Sequence, residues 1–148
     1  MSDEPLLLRQ ADDSALPYIE TLLAENDLPS QDVRAKPECF YVGYDGEDRV
    51  GIGGLEIHGI DALLRSVVVE RSARGNGLGI ALCEALEDAA RADGVETLYL
   101  LTTTAAEFFG DRGYTELERS AVPPAIRRTT EFDDLCPSTA TCMRKRIE

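Results

Sequence analysis

Leu64-Arg65-Ser66-Val67-Val68-Val69, four intervening residues, then Arg74-Gly75-Asn76-Gly77-Leu78-Gly79 is the stretch that decides the fold. The apolar run Val67 to Val69 predicts a strand buried on both faces. After the glycines a helical period sets in over Gly77 to Ala92. Leu78, Leu82, Leu86 and Ala89 line one side, and Glu84, Glu87, Asp88 and Arg91 line the other. Gly94 stops the helix. A strand, a glycine turn and a helix start make an anion site. Glycine lets a ligand approach the main chain closely, and the unpaired N–H groups of the first helical turn, with the helix dipole, hold phosphate. Arg74 adds a charge-assisted bond.

Two other phosphate loops fail on the residues. A P-loop needs Lys-Ser or Lys-Thr after the glycines, and here Ile80 and Ala81 follow Gly79. A dinucleotide fingerprint needs a glycine at position 80 and an acidic residue ending the next strand, which instead ends in Thr102-Thr103-Thr104. A glycine-rich turn without a ligand is the remaining alternative.

Outward from this loop, Leu6 to Arg9 reads as a strand. Ala11-Asp12-Asp13-Ser14 offers an N-cap for a helix over Leu16 to Glu25, with Ile19, Leu22 and Leu23 on one side. Leu28-Pro29-Ser30 breaks that helix and opens a short second one. Phe40 to Tyr44 and Val50 to Ile57 read as a hairpin across Asp45-Gly46-Glu47-Asp48. Gly59 to Asp61 turns the chain into a strand over Ala62 to Val69. After the central helix come a strand over Thr97 to Thr103 and a helix over Ala105 to Arg112, ended by Gly113. Strands over Tyr114 to Glu118 and Cys142 to Ile147 follow. The order predicts an α/β fold with a mixed, mostly antiparallel sheet and helices on both faces. No repeat or linker divides residues 1–148, which read as a single domain burying roughly two-thirds of its unfolded surface.

The formal net charge of −13 argues against nucleic acid as a partner. No apolar run approaches a membrane span, and the acidic start (Asp3, Glu4) lacks the features of a signal peptide, so a cytoplasmic location is expected. Lysine occurs only at positions 36 and 145, and an acidic, lysine-poor surface suits a halophilic source. Cys39, Cys83, Cys136 and Cys142 have no CxxC spacing and the lone His58 is distant in sequence, so no metal is expected. Buried reduced thiols are the default reading.

With Arg74, Gly77 and Gly79 matching an Arg/Gln-x-x-Gly-x-Gly/Ala signature, the chain resembles the GNAT acetyltransferase superfamily over essentially its whole length, including the helix-Gly-Tyr ending at Gly113-Tyr114. The resemblance implies acetyl-CoA as co-substrate, its pyrophosphate held by Arg74, Gly75, Asn76, Gly77, Leu78, Gly79 and Ile80. It implies a bulge in the strand Val67, Val68 and Val69, whose backbone pairs with pantetheine. Val68 is the position expected to polarise the thioester carbonyl, and the strand Thr97 to Thr103 is expected to splay away to admit the cofactor arm. A narrower resemblance, to GNAT proteins associated with arsenic-resistance operons, rests on several segments. They are Pro124-Ala125-Ile126-Arg127-Arg128-Thr129-Thr130-Glu131-Phe132, Leu135-Cys136-Pro137, Met143, Gly54-Leu55-Glu56 and Leu63-Leu64-Arg65-Ser66.

The implied reaction is direct transfer to a small-molecule primary amine, helped by backbone donors and proximity. Many members of the superfamily protonate the leaving thiolate with the Tyr of a Phe-Tyr pair; here the pair is Phe108-Phe109, and Phe109 is expected to pack beside pantetheine. Glu56, near the end of an inner strand among apolar neighbours, is the candidate base, set against a solvated or ion-paired strand residue. His58, two residues on and so on the same face, is a weaker one. Arg65, Arg127 and Thr129 are the expected substrate-binding residues, the arginines reading a carboxylate or arsenical oxyanion, with surface solvation the alternative for Arg127 or Arg128. Cys136 and Cys142 are weighed as arsenical ligands against core packing, which is favoured. Alternatives from other classes are a non-catalytic acetyl-CoA-binding or arsenical-sensing module and a protein N-terminal acetyltransferase. Self-association into a homodimer stays open.

Overall fold

The computed structural model describes residues 6–26, 28, 30, 33–73, 77–103, 105–129 and 140–147. Seven strands form one sheet: β1 (Leu7–Gln10), β2 (Phe40–Asp45), β3 (Asp48–His58), β4 (Asp61–Val69), β5 (Thr97–Thr102), β6 (Thr115–Glu116) and β7 (Thr141–Arg146). Their spatial order is β1-β2-β3-β4-β5-β7-β6, with β4 and β5 parallel and the other described pairs antiparallel. The expected mixed, mostly antiparallel sheet is what forms. The helices are α1 (Leu16–Glu25), α2 (Leu78–Ala92), α3 (Ala106–Asp111) and α4 (Pro124–Arg127).

α1 starts where the sequence places it. The cap expected for it serves a preceding 3₁₀ turn, Asp13–Ala15: Asp12 accepts from Ser14 Oγ (2.6 Å) and from the Ala15 N–H (3.1 Å), which lowers the pKa of its carboxyl, while α1 follows Ala15 with Pro17 in its first turn. Leu16, Ile19, Leu22 and Leu23 then bury one face against Phe40, Val42, Ile52 and Val68. The expected second helix is two 3₁₀ turns, Val33–Ala35 and Pro37–Cys39. The strand expected over Tyr114 to Glu118 shrinks to two residues, and α4 was not anticipated because four residues are too few to show a period.

On the other face α2 seats Leu82 and Leu86 among Leu55, Leu64, Leu98 and Leu100. It comes this close because β3 carries glycine beneath it. A Cβ on Gly53 would stand 2.4 Å from Leu86 Cδ1, and one on Gly51 would stand 2.6 Å from Val68 O. One expectation for α2 fails. Glu87, assigned to its solvated side, is only 4% exposed. Tyr114 and β7 cover that flank too, and Tyr114 Oη donates to Glu87 Oε2 (3.1 Å) while Lys145 Nζ donates to both oxygens (3.0 and 3.1 Å). The stem of Lys145 reaches across Gly113, where φ is +97°. No helix among the described residues is long and apolar enough to cross a membrane.

Candidate active site

The parallel ladder between β4 and β5 consists of Asp61–Thr97, Ala62–Leu98 and Leu63–Tyr99, and stops there. Leu64 to Val69 stay on β3 and Leu100 to Thr102 on β7 but no longer pair with each other, so the sheet opens into a wedge, as the expected splay requires. Along the same stretch β4 is bulged: Gly54 opposes Arg65 while Ile52 opposes Val68, leaving one extra residue in β4. Ser66 absorbs it at φ 59°, a left-handed conformation that costs a non-glycine residue roughly 1–2 kcal/mol.

The bulge reverses the alternation of the strand. Before it, Ala62 and Leu64 face α2; after it, Val67 and Val69 do, and Val68 turns to the α1 side. The main chain follows suit. Glu70 N–H donates to Val50 O (2.8 Å), and from that pair the antiparallel alternation directs the Val68 peptide groups to β3 and those of Val69 to the β5 side. The expectation for Val68 therefore meets a physical obstacle: its amide is aimed into the ladder, whereas Val67, like Val69, is turned away from β3.

At the wide end of the wedge stands the start of α2. Gly77 caps it at φ 75°, with open space where a Cβ would project, and Ala81 N–H makes the first helical bond to Gly77 O (3.1 Å). The N–H groups of Leu78, Gly79 and Ile80 thus precede the first helical acceptor. Glycine at 77 answers the conformation and leaves an anion room, so these residues fit a diphosphate. Arg74, Gly75 and Asn76 lie outside the described residues. Gly79 is flanked by Val69 and by the ring of Phe108, each 3.7 Å from where its Cβ would stand. The aromatic pair thus divides against expectation. Phe109 is a core residue, 8% exposed and edge-on to Tyr114 (5.5 Å), while Phe108 is 37% exposed at the opening. The short α3 turns its second phenylalanine inward and its first outward.

Across the sheet from α2, Glu56 is buried but not among apolar neighbours alone: it is ion-paired through both oxygens, which is the alternative weighed against its role as base. Arg65 Nη1 donates to Oε2 (3.0 Å) and Lys36 Nζ to Oε1 (2.9 Å). Arg65 lies flat over Gly54, its guanidinium 5.4 Å from the Phe40 ring centre and its Nε 3.1 Å from Ser66 Oγ. Its side chain is wholly enclosed, so the expectation that it meets a substrate anion is corrected: Arg65 grips Glu56. Lys36, 22% exposed at its side chain, is the cation at the rim, and nothing in the sequence near it signalled that place. Thr129 is buried with its hydroxyl donating to Ile126 O (2.7 Å), closing α4 rather than offering itself to a ligand. Arg127 and His58 are exposed. α4 is anchored on this face by Ile126, in a cluster with Leu63, Tyr99, Val122 and Cys142.

Burial raises the thiols of Cys39 and Cys142 to about 11 and that of Cys83 to about 12. The three sit in separate side-chain clusters, and Cys136 lies outside the described residues. Among the described residues no group of three or more His, Cys, Asp or Glu side chains converges to hold a metal ion.

A sequence model of the acetyltransferase (GNAT) domain matches residues 36–116, more than half of the chain. An amino-acid acetyltransferase of Mycobacterium tuberculosis is 32% identical over 90 residues, which are 60% of this chain and 48% of the relative, so the chain spans about half that protein's length. Among solved structures, N-acetylglutamate synthase from Neisseria gonorrhoeae, complexed with coenzyme A and N-acetyl-glutamate, superposes with a TM-score of 0.83 at 20% identity. That superposition covers 99% of this chain and 36% of that one. A Mycobacterium tuberculosis protein solved with CoA gives 0.77 at 23% identity, over 95% and 98% of the two chains.

Proposed function

Because this chain belongs to the GNAT acetyltransferases, we propose that residues 1–148 form one catalytic domain that moves an acetyl group from acetyl-CoA to the primary amine of a small amino acid. The observation that carries this reading is the coincidence of three features at one place: the β4–β5 wedge, the β4 bulge and the glycine-capped start of α2. The amino-acid class of acceptor is supported by the acetyltransferase relative and by the rim cation Lys36, which suits a carboxylate.

Acetyl-CoA supplies an activated thioester. The first N–H groups of α2 bind its diphosphate, and the wedge passes the pantetheine arm from the α2 face to the face that carries Glu56. At the bulge the main chain of Val67, in place of Val68, donates to the thioester carbonyl, electrostatic help worth roughly 3–4 kcal/mol when such a donor is preorganised. Glu56 takes the proton of the acceptor ammonium once the acceptor's carboxylate draws Lys36 off Oε1, while Arg65 keeps Oε2 in place. The amine nitrogen bonds to the thioester carbon as the C–S bond breaks, and the second proton, shed by the new amide nitrogen, passes to solvent or to the departing thiolate, for which Phe109 has no proton to give.

The test is thiol release from acetyl-CoA with a panel of amines: glutamate, glutamine, other amino acids, arsenic- and phosphorus-containing amino acids, and short peptides. Acetylation of one or more amino acids is expected, and an arsenical amino acid among them would support the arsenic-resistance likeness. Turnover confined to peptides would replace this reading with protein N-terminal acetylation. Tight acetyl-CoA binding with no thiol released by any amine would make the chain a sensor, the reading that a hydroxyl-free Phe109 favours.

A further inference from the structure

The start of α2 has two flanks of opposite character. On one, Asp45, Asp48 and Glu70 line an open depression with Arg49, whose guanidinium is stacked 4.9 Å from the Tyr18 ring centre. Tyr18 Oη donates to Glu70 Oε1 (2.7 Å). That flank is acidic, the wrong sign for a phosphate. On the other flank lies α3, with the exposed ring of Phe108 against Gly79 and Val69. One turn further on, the Arg112 guanidinium carbon stands 6.0 Å from the Phe108 ring centre. The same guanidinium is close enough to the Cys83 thiol, in the second turn of α2, to counter part of the burial that raises it.

Arg112 is also electrostatically unspent. Arg34, Lys36, Arg65, Arg91 and Lys145 each pair with a carboxylate, whereas no ion pair among the described residues involves Arg112. Its Nε is buried without a hydrogen-bond partner, a state that costs stability. No acidic residue occupies the first turn of α2 to compete for it. In a chain of net charge −13, a polyanionic ligand needs such a local cation.

We propose that Arg112, beside Phe108 on the α3 flank of the start of α2, reads the 3′-phosphate on the ribose of coenzyme A and makes the protein prefer that cofactor over its 3′-dephospho form. The inference rests on the acetyl-CoA reading above and adds a residue and a discrimination to it. With the diphosphate at Gly77 to Ile80, the ribose next to it reaches the flank where the guanidinium waits. A planar fork held on an aromatic face is preorganised for two phosphate oxygens.

The experiment is calorimetric titration of the whole chain with coenzyme A and with 3′-dephospho-coenzyme A, without acceptor. The wild type should bind coenzyme A about tenfold or more tightly, the loss expected for one charge-assisted contact. Arg112→Met should bring coenzyme A down to the dephospho level and leave dephospho binding unchanged, with Arg112→Lys in between. Thermal unfolding of Arg112→Met should be no lower than wild type, because the variant removes a buried orphan donor. Equal wild-type affinity for the two ligands, or a parallel loss of both in Arg112→Met, overturns the assignment while leaving acetyl-CoA as the co-substrate. Failure of the wild type to bind either ligand overturns both.

Discussion

The chain's two lysines each neutralise a buried glutamate, one on either face of the sheet. Glu56 and Glu87 are equally enclosed, at 5% and 4% exposure, and Lys36 and Lys145 are equally close to the solvent. The remaining partners set the two apart. Glu87 keeps one lysine on both oxygens and a phenol from the turn after α3, so a single carboxylate joins α2 to two other elements. Glu56 divides its oxygens, one to the enclosed Arg65 and one to the rim lysine. Releasing Lys36 therefore frees one oxygen while Arg65 holds the other, whereas releasing Lys145 unties β7 from α2 and leaves the buried Glu87 charge to the Tyr114 hydroxyl. Burial and charge alone do not tell the two glutamates apart; the way each divides its oxygens among partners does.

The sharpest way to break this comparison is to neutralise the Glu56 carboxylate. Glu56→Gln should lower kcat by roughly 10²- to 10⁴-fold, the usual worth of a positioned base, with acetyl-CoA affinity within a few-fold of wild type. Steady-state kinetics beside calorimetry checks it, and full turnover in a folded Glu56→Gln protein would sink the base assignment. Gly77→Val tests the cofactor side of the wedge. Its Cβ would project into open space, so the fold should lose only the roughly 1–2 kcal/mol of a strained φ. Acetyl-CoA affinity should drop by about a hundredfold or more as the side chain meets the diphosphate, on the scale of two lost charged hydrogen bonds.

On the strap, Lys145→Met leaves Glu87 buried with the Tyr114 hydroxyl and a distant Arg91 (3.9 Å). A stability loss of about 3 kcal/mol is expected in chemical denaturation, with kcat per folded molecule unchanged. Tyr114→Phe removes one hydrogen bond and should cost about 1 kcal/mol. A selective fall in kcat for either variant would erase the distinction between the two glutamates. The smallest effect is expected for Phe109→Tyr. Its ring is in the core, so a hydroxyl there should leave turnover within a few-fold and shave thermal stability. A rise of tenfold or more at saturating amine would mean that thiolate protonation limits the rate after all.

Glycine turns, helix periodicity and hairpin turns are local signals, written within a few residues, and they were sufficient for α1, α2 and the mixed sheet. The splayed strands and the bulge were legible only through resemblance, since nothing in Leu64 to Val69 distinguishes a bulged strand from a straight one. Ser66 at φ 59° shifted the strand by one residue and with it the direction of every side chain and peptide group beyond, which is why Val68 rather than Val67 turns to β3.

The amino-acid sequence by itself determined where α1 and α2 start and stop, which strand faces are apolar, and that glycine stands at the turn into α2. Each of these depends on neighbours in the chain. Tertiary structure alone decided that Arg65 is enclosed, that Lys36 arrives from 20 residues away to hold Glu56, and that Glu87 is covered on the flank a helical wheel assigns to water. It also decided that Phe108 rather than Phe109 stands at the opening. The physical reason is common to all four. The free energy of a charge or a ring depends on what other segments bring within a few ångströms of it, and no periodicity along one segment records that.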